Sequence, residues 1–156
     1  NPSSRVVQSD IIYSMKLHIE ETIPKPIAEV YDAIVDPKKL VNHFVNATSG
    51  ELQEKKSVRW SFGEGGEVDV RVTKLIPNAL IELSWAATGL TTEVEIRVEE
   101  IGHNLTKIRI TEGEWKLDKD SFAVGVEQTH GWTGFLDGLR AYLLFNINLR
   151  EGKKVS

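Results

Sequence analysis

The stretch HGWTGFLDGLRAYLLF, residues 130–145, decides the fold of this chain. Large apolar residues recur in it at spacings of four, three and four, which is typical of an amphipathic helix. They are Trp132, Leu136, Leu139 and Leu143. The stretch also contains Gly131, Gly134 and Gly138, although a glycine inside a helix costs about 1 kcal/mol relative to alanine. The glycines therefore serve either close approach of the helix to its neighbour or room between the two.

The apolar face of the helix must be buried against another element, and the preceding part of the chain predicts a sheet. From Thr48 to Glu112, apolar and polar residues alternate in successive short runs, which is typical of antiparallel strands. Turns are predicted at GEGG (63–66), IPNA (76–79) and GHN (102–104). Strict alternation gives the sheet one wet face and one buried face, which the helix must cover. The inward positions are Val58, Trp60, Phe62, Val68, Val70, Val72, Ile81, Leu83, Trp85, Val94, Ile96, Val98, Thr106, Ile108 and Ile110.

A first strand and two short helices are predicted ahead of this meander. Alternation from Met15 to Ile19 predicts the strand. Apolar residues at helical spacing then follow Pro26, which suits the first turn of a helix. At Asp36 and Pro37 the pattern restarts, with the aspartate as N-cap and the proline at the first position of a second helix.

Length, charge and composition restrict the class of protein. The 156 residues suit one domain, so we predict a flexible N-terminal extension over residues 1–10 and a single domain over 11–156. The net charge of −4 without a lysine- or arginine-rich run argues against nucleic acid as a partner. No stretch approaches the ~18 apolar residues of a membrane span. Because no signal peptide is visible, we expect a cytoplasmic protein, and whether a leader precedes Asn1 stays open.

Together these elements predict an α+β fold of the helix-grip type. A curved antiparallel sheet of about six to seven strands wraps around a long C-terminal helix, with two short helices after the first strand. The helix is predicted largely over residues 121–148, with Asp118 and Asp120 favouring its N-terminus. It should cover the face that bears Trp60, Val70, Leu83, Ile96 and Ile110. A one-residue slip would instead turn Arg59, Glu82 and Glu95 towards it.

Three segments resemble one known family. IPKPIAEVYDAIVDPKKL (23–40), VTKLIPNALIELSW (72–85) and HGWTGFLDGLRAYL (130–143) are similar to the opening, the central hairpin and the closing helix of the START-like (SRPBCC) superfamily. Within it, they resemble the group similar to the activator of Hsp90 ATPase, over about residues 15–148. The resemblance implies an internal cavity and no shared catalytic triad. Relatives often have a tryptophan just after the second helix, where this chain has NHFVNA and Phe44 is the candidate for its role.

Few residues suggest chemistry. No pair of the four histidines has metal-ligand spacing, so we predict no metal and no cofactor. Glu127 and His130 lie one helical turn apart, which favours an ion pair near the cavity entrance. The strand-end residues Glu112 and Glu114 are the best acid–base candidates, but they are weak, and we assign no catalytic residue.

Large aromatic residues on the inward face, opposite the glycines, indicate an apolar pocket. Our first hypothesis is therefore a non-enzymatic module that binds a small apolar or amphipathic ligand. The predicted ligand-binding residues are Trp60, Phe62, Val70, Leu83, Trp85, Ile96, Ile110, Gly131, Trp132, Phe135, Gly138 and Leu139. From the resemblance come two alternatives: an interaction module that regulates a chaperone ATPase, with a role in stress response, and an enzyme of the cyclase or dehydratase kind. The oligomeric state stays open.

Three structural features distinguish these hypotheses. A closed, dry cavity favours ligand binding. A continuous exposed apolar patch outside the cavity favours a protein partner. A buried carboxylate or histidine in the cavity wall, with a perturbed pKa, favours an enzyme.

Overall fold

The computed structural model of the protein describes residues 14–156. The predicted extension over residues 1–10, and residues 11–13 of the predicted domain, lie outside the described residues. The elements follow in chain order as β1 (Ser14–Ile23), α1 (Ile27–Val35), α2 (Pro37–Leu40), β2 (Ala47–Thr48), β3 (Ser57–Ser61), β4 (Glu67–Ile76), β5 (Leu80–Trp85), β6 (Thr92–Gly102), β7 (Leu105–Lys116), α3 (Lys119–Phe145), β8 (Ile147–Asn148) and β9 (Lys153–Lys154).

The main sheet confirms the predicted α+β helix-grip fold. Its seven strands pair antiparallel in the order β1-β7-β6-β5-β4-β3-β2, so the first strand lies beside the last strand of the meander. The remaining two strands, β8 and β9, form a separate hairpin after α3. Long α3 supplies the predicted cover, and α1 also packs against β6 and β7.

The register of the sheet is also as predicted. Trp60, Val70, Leu83, Ile96 and Ile110 are fully buried and form one apolar core with the inner residues of α3. On the same strands, Arg59, Glu82 and Glu95 lie outside this core. The alternation of residue types was sufficient to identify the buried face because successive side chains of a strand point to opposite sides.

Caps at both ends define α3. The side chain of Asp118 accepts a hydrogen bond of 2.8 Å from the backbone N–H of Ser121, and this bond lowers the pKa of the Asp118 carboxyl. At the other end Asn146 has a φ of 54°, a left-handed conformation that asparagine tolerates and that ends a helix. The helix therefore ends at Phe145 rather than within the last three residues of the predicted range, and β8 takes up 147 and 148.

The two short helices form as the sequence predicts. The side chain of Asp36 accepts a hydrogen bond of 2.9 Å from the N–H of Lys38, and Pro37 occupies the first turn of α2. Pro26 is the N-cap of α1 rather than a residue of its first turn.

The distance between α3 and the sheet differs from one side of the sheet to the other. Its backbone comes close to β1 and β7 at one edge of the sheet. At β3 and β5 large aromatic side chains bridge the distance between sheet and helix. This separation leaves the space in which the candidate site lies.

Candidate functional site

A cavity of about 600 Å³ lies between α3, the ends of β3 and β5, the segment after α2, and the β8–β9 hairpin. It is open to solvent, because several of its lining residues are exposed. The predicted ligand-binding residues that line it are Phe62, Trp85, Gly131, Trp132, Phe135 and Gly138. The cavity therefore has a mouth, and the criterion of a closed cavity is not met.

The other predicted ligand-binding residues pack in the filled core and do not line this cavity. They are Trp60, Val70, Leu83, Ile96, Ile110 and Leu139. Alternation identifies the inward face of a strand, but it does not indicate where along that face packing is complete. Other residues also line the cavity, although they were not among the predicted ligand-binding residues. They include His43, Phe44, Ala87, Gln128, Gly134 and Arg150.

An aromatic cluster forms the inner wall. Phe44, which follows α2, stacks on Trp132 with ring centroids 5.9 Å apart and packs edge-on against Phe135 at 4.7 Å. The indole rings of Trp85 and Trp132 lie 5.4 Å apart. Phe44 thus occupies the centre of the cluster. Such aromatic contacts add about 0.5–1.5 kcal/mol each beyond the area that they bury.

Behind this wall lies a buried carboxylate, Glu112 of β7, which is only 1% exposed. One oxygen, Oε2, accepts hydrogen bonds from Trp85 Nε1 (2.8 Å) and Thr92 Oγ1 (2.6 Å). The other, Oε1, accepts from Trp132 Nε1 (2.8 Å) and Gln128 Nε2 (2.9 Å). We refer to these five residues as the Glu112 cluster.

The geometry of the Glu112 cluster indicates a positioning role. Indole and amide N–H groups only donate, and an ionised carboxylate offers about four acceptor sites, so the donors in the cluster occupy the carboxylate fully. A carboxylate saturated in this way has no lone pair directed at the cavity. Glu114, the other acid–base candidate, is exposed and does not line the cavity. The signal that could have revealed the cluster is the strand period, which places Glu112 on the inward face after Ile108 and Ile110.

His43 is a second buried polar residue in the wall. Its Nε2 lies 2.7 Å from the carbonyl oxygen of Ala33, which can only accept, so Nε2 carries the proton and the ring stacks on Tyr142. Burial lowers the pKa of His43 to about 4, and the imidazole is therefore neutral at pH 7. Its Nδ1 has no hydrogen-bond partner in the part of the chain that the structure describes.

Three of the four glycines in α3 lie in the stretch 130–145, and they divide between close approach and open space. A Cβ atom added at Gly131 or Gly134 would meet nothing within 4 Å, so these positions leave room at the cavity. A Cβ atom at Gly138 would lie 2.8 Å from the backbone oxygen of His43. Gly138 therefore permits close approach, although the neighbour is the segment after α2 rather than the sheet.

At the mouth, the β8–β9 hairpin brings a positive charge to the cavity. The side chain of Asn148 is buried and accepts hydrogen bonds from the backbone N–H groups of Arg150 (3.0 Å) and Glu151 (3.3 Å), which fixes the turn. The guanidinium of Arg150 lies 5.9 Å from the centre of the Phe62 ring. Asp137 of α3 is the other charged residue of the lining.

Outside this cavity, an apolar groove runs beside the first half of α3. It is formed by Met15, Trp115, Gly125 and two exposed side chains, Phe122 (61% exposed) and Val126 (55% exposed). Its volume is about 260 Å³. This groove is the exposed apolar patch that the sequence analysis names as the mark of a protein partner.

One expected contact is absent from residues 14–156. Glu127 and His130 are both exposed, and no ion pair joins them within those residues, so the predicted ion pair is wrong. Nowhere in this range do three or more His, Asp or Glu side chains form a group that could hold a metal ion.

None of the helices in the described residues is both long and apolar enough to span a membrane.

Comparisons with known proteins agree with this fold. The model of the family described as Activator of Hsp90 ATPase homolog 1-like protein matches residues 24–144. A search of curated proteins finds no match to the sequence.

Among solved structures, SSP2350 from Staphylococcus saprophyticus superposes with a TM-score of 0.75 at 22% identity, over 86% of this chain and 95% of that one. The Aha1 dimer from Colwellia psychrerythraea has a TM-score of 0.71 at 25% identity, over 84% and 97%. DynU16, a protein in the dynemicin biosynthetic locus, has a TM-score of 0.74 at 21% identity, over 83% of this chain and 47% of its own. The chain thus spans about half the length of DynU16.

Proposed function

We propose that this chain, which belongs to the family of Activator of Hsp90 ATPase homolog 1-like proteins, binds a small apolar or amphipathic molecule in the cavity beside α3. The observation that carries the proposal is the cavity of about 600 Å³ with its aromatic inner wall. Small-molecule sites in proteins have volumes of roughly 300–1,000 Å³ and mostly apolar linings. Binding is driven by desolvation, at about 25 cal/mol per Å² of apolar area that leaves water.

The aromatic wall of the cavity is already ordered in the free protein. Trp85 and Trp132 are held by the carboxylate of Glu112 through hydrogen bonds of 2.8 Å, so their rings lose little freedom on binding. Order that is already present in the free protein does not subtract from the affinity. This supports a binding site that is largely preformed.

The same residues favour binding over catalysis. Glu112 is the buried carboxylate that an enzyme hypothesis requires, but its oxygens are occupied by four donors. His43 has the perturbed pKa, but at about 4 it is a weak base at neutral pH, and its Nε2–H is engaged with Ala33. Neither group is arranged to move a proton to or from a ligand.

A titration with a neutral apolar dye tests the proposal. N-phenyl-1-naphthylamine should bind the protein, with a rise in dye fluorescence and a change in tryptophan emission from Trp85 and Trp132. Gly134→Leu should weaken this binding by about tenfold or more, because its side chain enters open space at the cavity. Gly134→Ala is the matched control, because it makes the same gain in helix propensity but fills little volume. Absence of dye binding to the unsubstituted protein would refute the proposal.

A second candidate function is supported by the apolar groove and by the name of the family. Exposed Phe122 and Val126 could pack against a protein partner such as an Hsp90-type chaperone. The measurement is the ATPase rate of that chaperone with and without this protein. Phe122→Ser should abolish any stimulation, whereas Gly134→Leu, which alters the cavity alone, should retain it. Stimulation that survives Phe122→Ser would exclude the groove as the contact surface.

A further inference from the structure

We infer that the ligand of the cavity is an amphipathic acid, with its apolar end against the indole rings of Trp85 and Trp132 and its anionic group at Arg150. This inference rests on the proposed function and specifies the ligand class of the same site. It follows from an asymmetry between the inner wall, whose indole N–H donors are already engaged, and the mouth, where a guanidinium lies over the ring of Phe62.

The indole rings of the inner wall have no free donor to offer. The indole N–H groups of Trp85 and Trp132 both donate to the carboxylate of Glu112, as does one of the two side-chain N–H groups of Gln128. A polar or charged group placed against the indole rings would lose its hydrogen bonds with water and gain none from them. The end of the ligand that reaches these rings is therefore hydrocarbon or aromatic.

His43 offers no donor to an anion in the cavity for a related reason. Its only N–H is engaged with the carbonyl oxygen of Ala33. The ring is neutral at pH 7 because burial lowers its pKa to about 4. The imidazole therefore offers an anion neither a free N–H nor a positive charge.

At the mouth of the cavity, Arg150 provides a positively charged hydrogen-bond donor, which the indole rings of the inner wall do not. Its backbone is fixed by Asn148, and its guanidinium lies over Phe62, a residue of the cavity lining. Among residues 14–156 no carboxylate forms an ion pair with it, because its neighbour Glu151 pairs instead with Lys153 at 3.6 Å. A planar guanidinium is weakly hydrated and matches a carboxylate with two parallel N–H donors.

The other charged lining residue, Asp137, is the reason to consider a cationic ligand. Asp137 and Arg150 are both exposed, so an ion pair with either charge gains little by itself. The guanidinium of Arg150 differs in that it lies over the ring of Phe62, an aromatic contact that orients its donors. Because the charge that contacts the apolar lining is that of Arg150, we expect the ligand to be an acid and not an amine.

The test compares three ligands with the same alkyl chain: decanoate, decanol and decylamine. Each is titrated against the protein loaded with N-phenyl-1-naphthylamine, and displacement of the dye is measured. Decanoate should displace the dye at a concentration about tenfold lower than decanol, and decylamine should be the weakest. Arg150→Gln should bring the ratio of decanoate to decanol close to one. Because the ratio is taken within each variant, changes of the cavity that affect both ligands cancel.

Lys154→Gln is the matched control, because it removes a positive charge from the same hairpin at a residue that does not line the cavity, and it leaves the ion pair between Lys153 and Glu151 intact. It should keep the preference for decanoate. Equal displacement by decanoate and decanol, or tighter binding of decylamine, would overturn the inference. The proposed function would then still be supported by binding of the dye. A preference that persists in Arg150→Gln would overturn the role of Arg150. Failure of the dye itself to bind would remove the proposed function and this inference together.

Discussion

Gly134 and Gly138 lie one turn apart on α3, yet their surroundings differ. At Gly134 a Cβ atom would enter open space, whereas at Gly138 it would lie 2.8 Å from the backbone oxygen of His43. Backbone atoms cannot rotate away as a flexible side chain can. Of two glycines that look equivalent in the sequence, one keeps space open and the other permits contact.

The two positions predict opposite effects of the same substitution. Gly134→Ala should raise the free energy of unfolding by up to about 1 kcal/mol, from helix propensity alone. Gly138→Ala should lower it by about 1–3 kcal/mol, because the overpacking exceeds the gain in propensity. Urea unfolding of both variants measures the difference. Equal stabilisation by the two substitutions would show that the segment after α2 does not press on the helix.

His43 predicts a pH dependence of stability. Its pKa in the folded protein is about 4, below the ordinary value of 6.5, so between these pH values the unfolded chain binds a proton that the folded chain does not. The contribution of neutral His43 to the free energy of unfolding is therefore fully present above pH 6.5. It is lost as the pH is lowered towards 4, by about 3 kcal/mol in all. His43→Gln, which can still donate to the carbonyl of Ala33, should flatten this part of the profile. The same slope in both proteins would contradict the prediction.

At the scale of elements, the Glu112 cluster joins α3 to three strands. Glu112 belongs to β7, while its donors come from β5, β6 and α3. The inner wall of the cavity is thus positioned by one side chain from a strand that does not itself line it. Removal of this acceptor would leave indole N–H groups buried without a partner.

We therefore expect Glu112→Gln to destabilise the protein by about 1–3 kcal/mol, the cost of at least one unsatisfied buried donor. Glu114→Gln, an exposed neighbour on the same strand, should change stability by no more than about 0.5 kcal/mol. The free energy of unfolding and the tryptophan emission of both variants provide the measurement. A Glu112→Gln protein with unchanged stability and emission would show that the carboxylate does not position the wall.

At the scale of the whole molecule, the strand order explains why the cavity exists. Because β1 pairs with β7, the curved sheet brings its first and last long strands together, and the backbone of α3 packs close to both. The strands at the other side of the sheet are bridged to the helix by Trp60, Trp85 and Trp132. Where these rings do not fill the separation, space remains for a ligand.

A ligand in that space should stabilise the entire fold. At about 100 times its dissociation constant, the neutral dye should raise the free energy of unfolding by about 2.7 kcal/mol, provided that it binds only the folded chain. Gly134→Leu should show a smaller rise at the same dye concentration. Dye fluorescence that increases without any shift of the thermal transition would indicate binding that is not coupled to the fold.

The sequence by itself determined the features that depend on neighbours along the chain. Alternation identified the buried face with Trp60 and Val70, and helical spacing identified α3. The cap Asp36 was identified because a cap bonds to a backbone group two or three residues away, and Asp118 was identified as a residue that favours the N-terminus of α3. All of these follow from local geometry, which repeats with the period of the strand or the helix.

Only the tertiary structure decided what those faces enclose. The residues that donate to Glu112 lie 16 to 27 positions from it, and the contact between Gly138 and His43 joins segments still further apart. Arg150 reaches the cavity through a hairpin that follows the helix. Periodicity indicates which way a side chain points but carries no information about the distance to the opposite wall. That distance depends on how elements remote in sequence pack together, and it is the quantity that separates a filled core from a cavity.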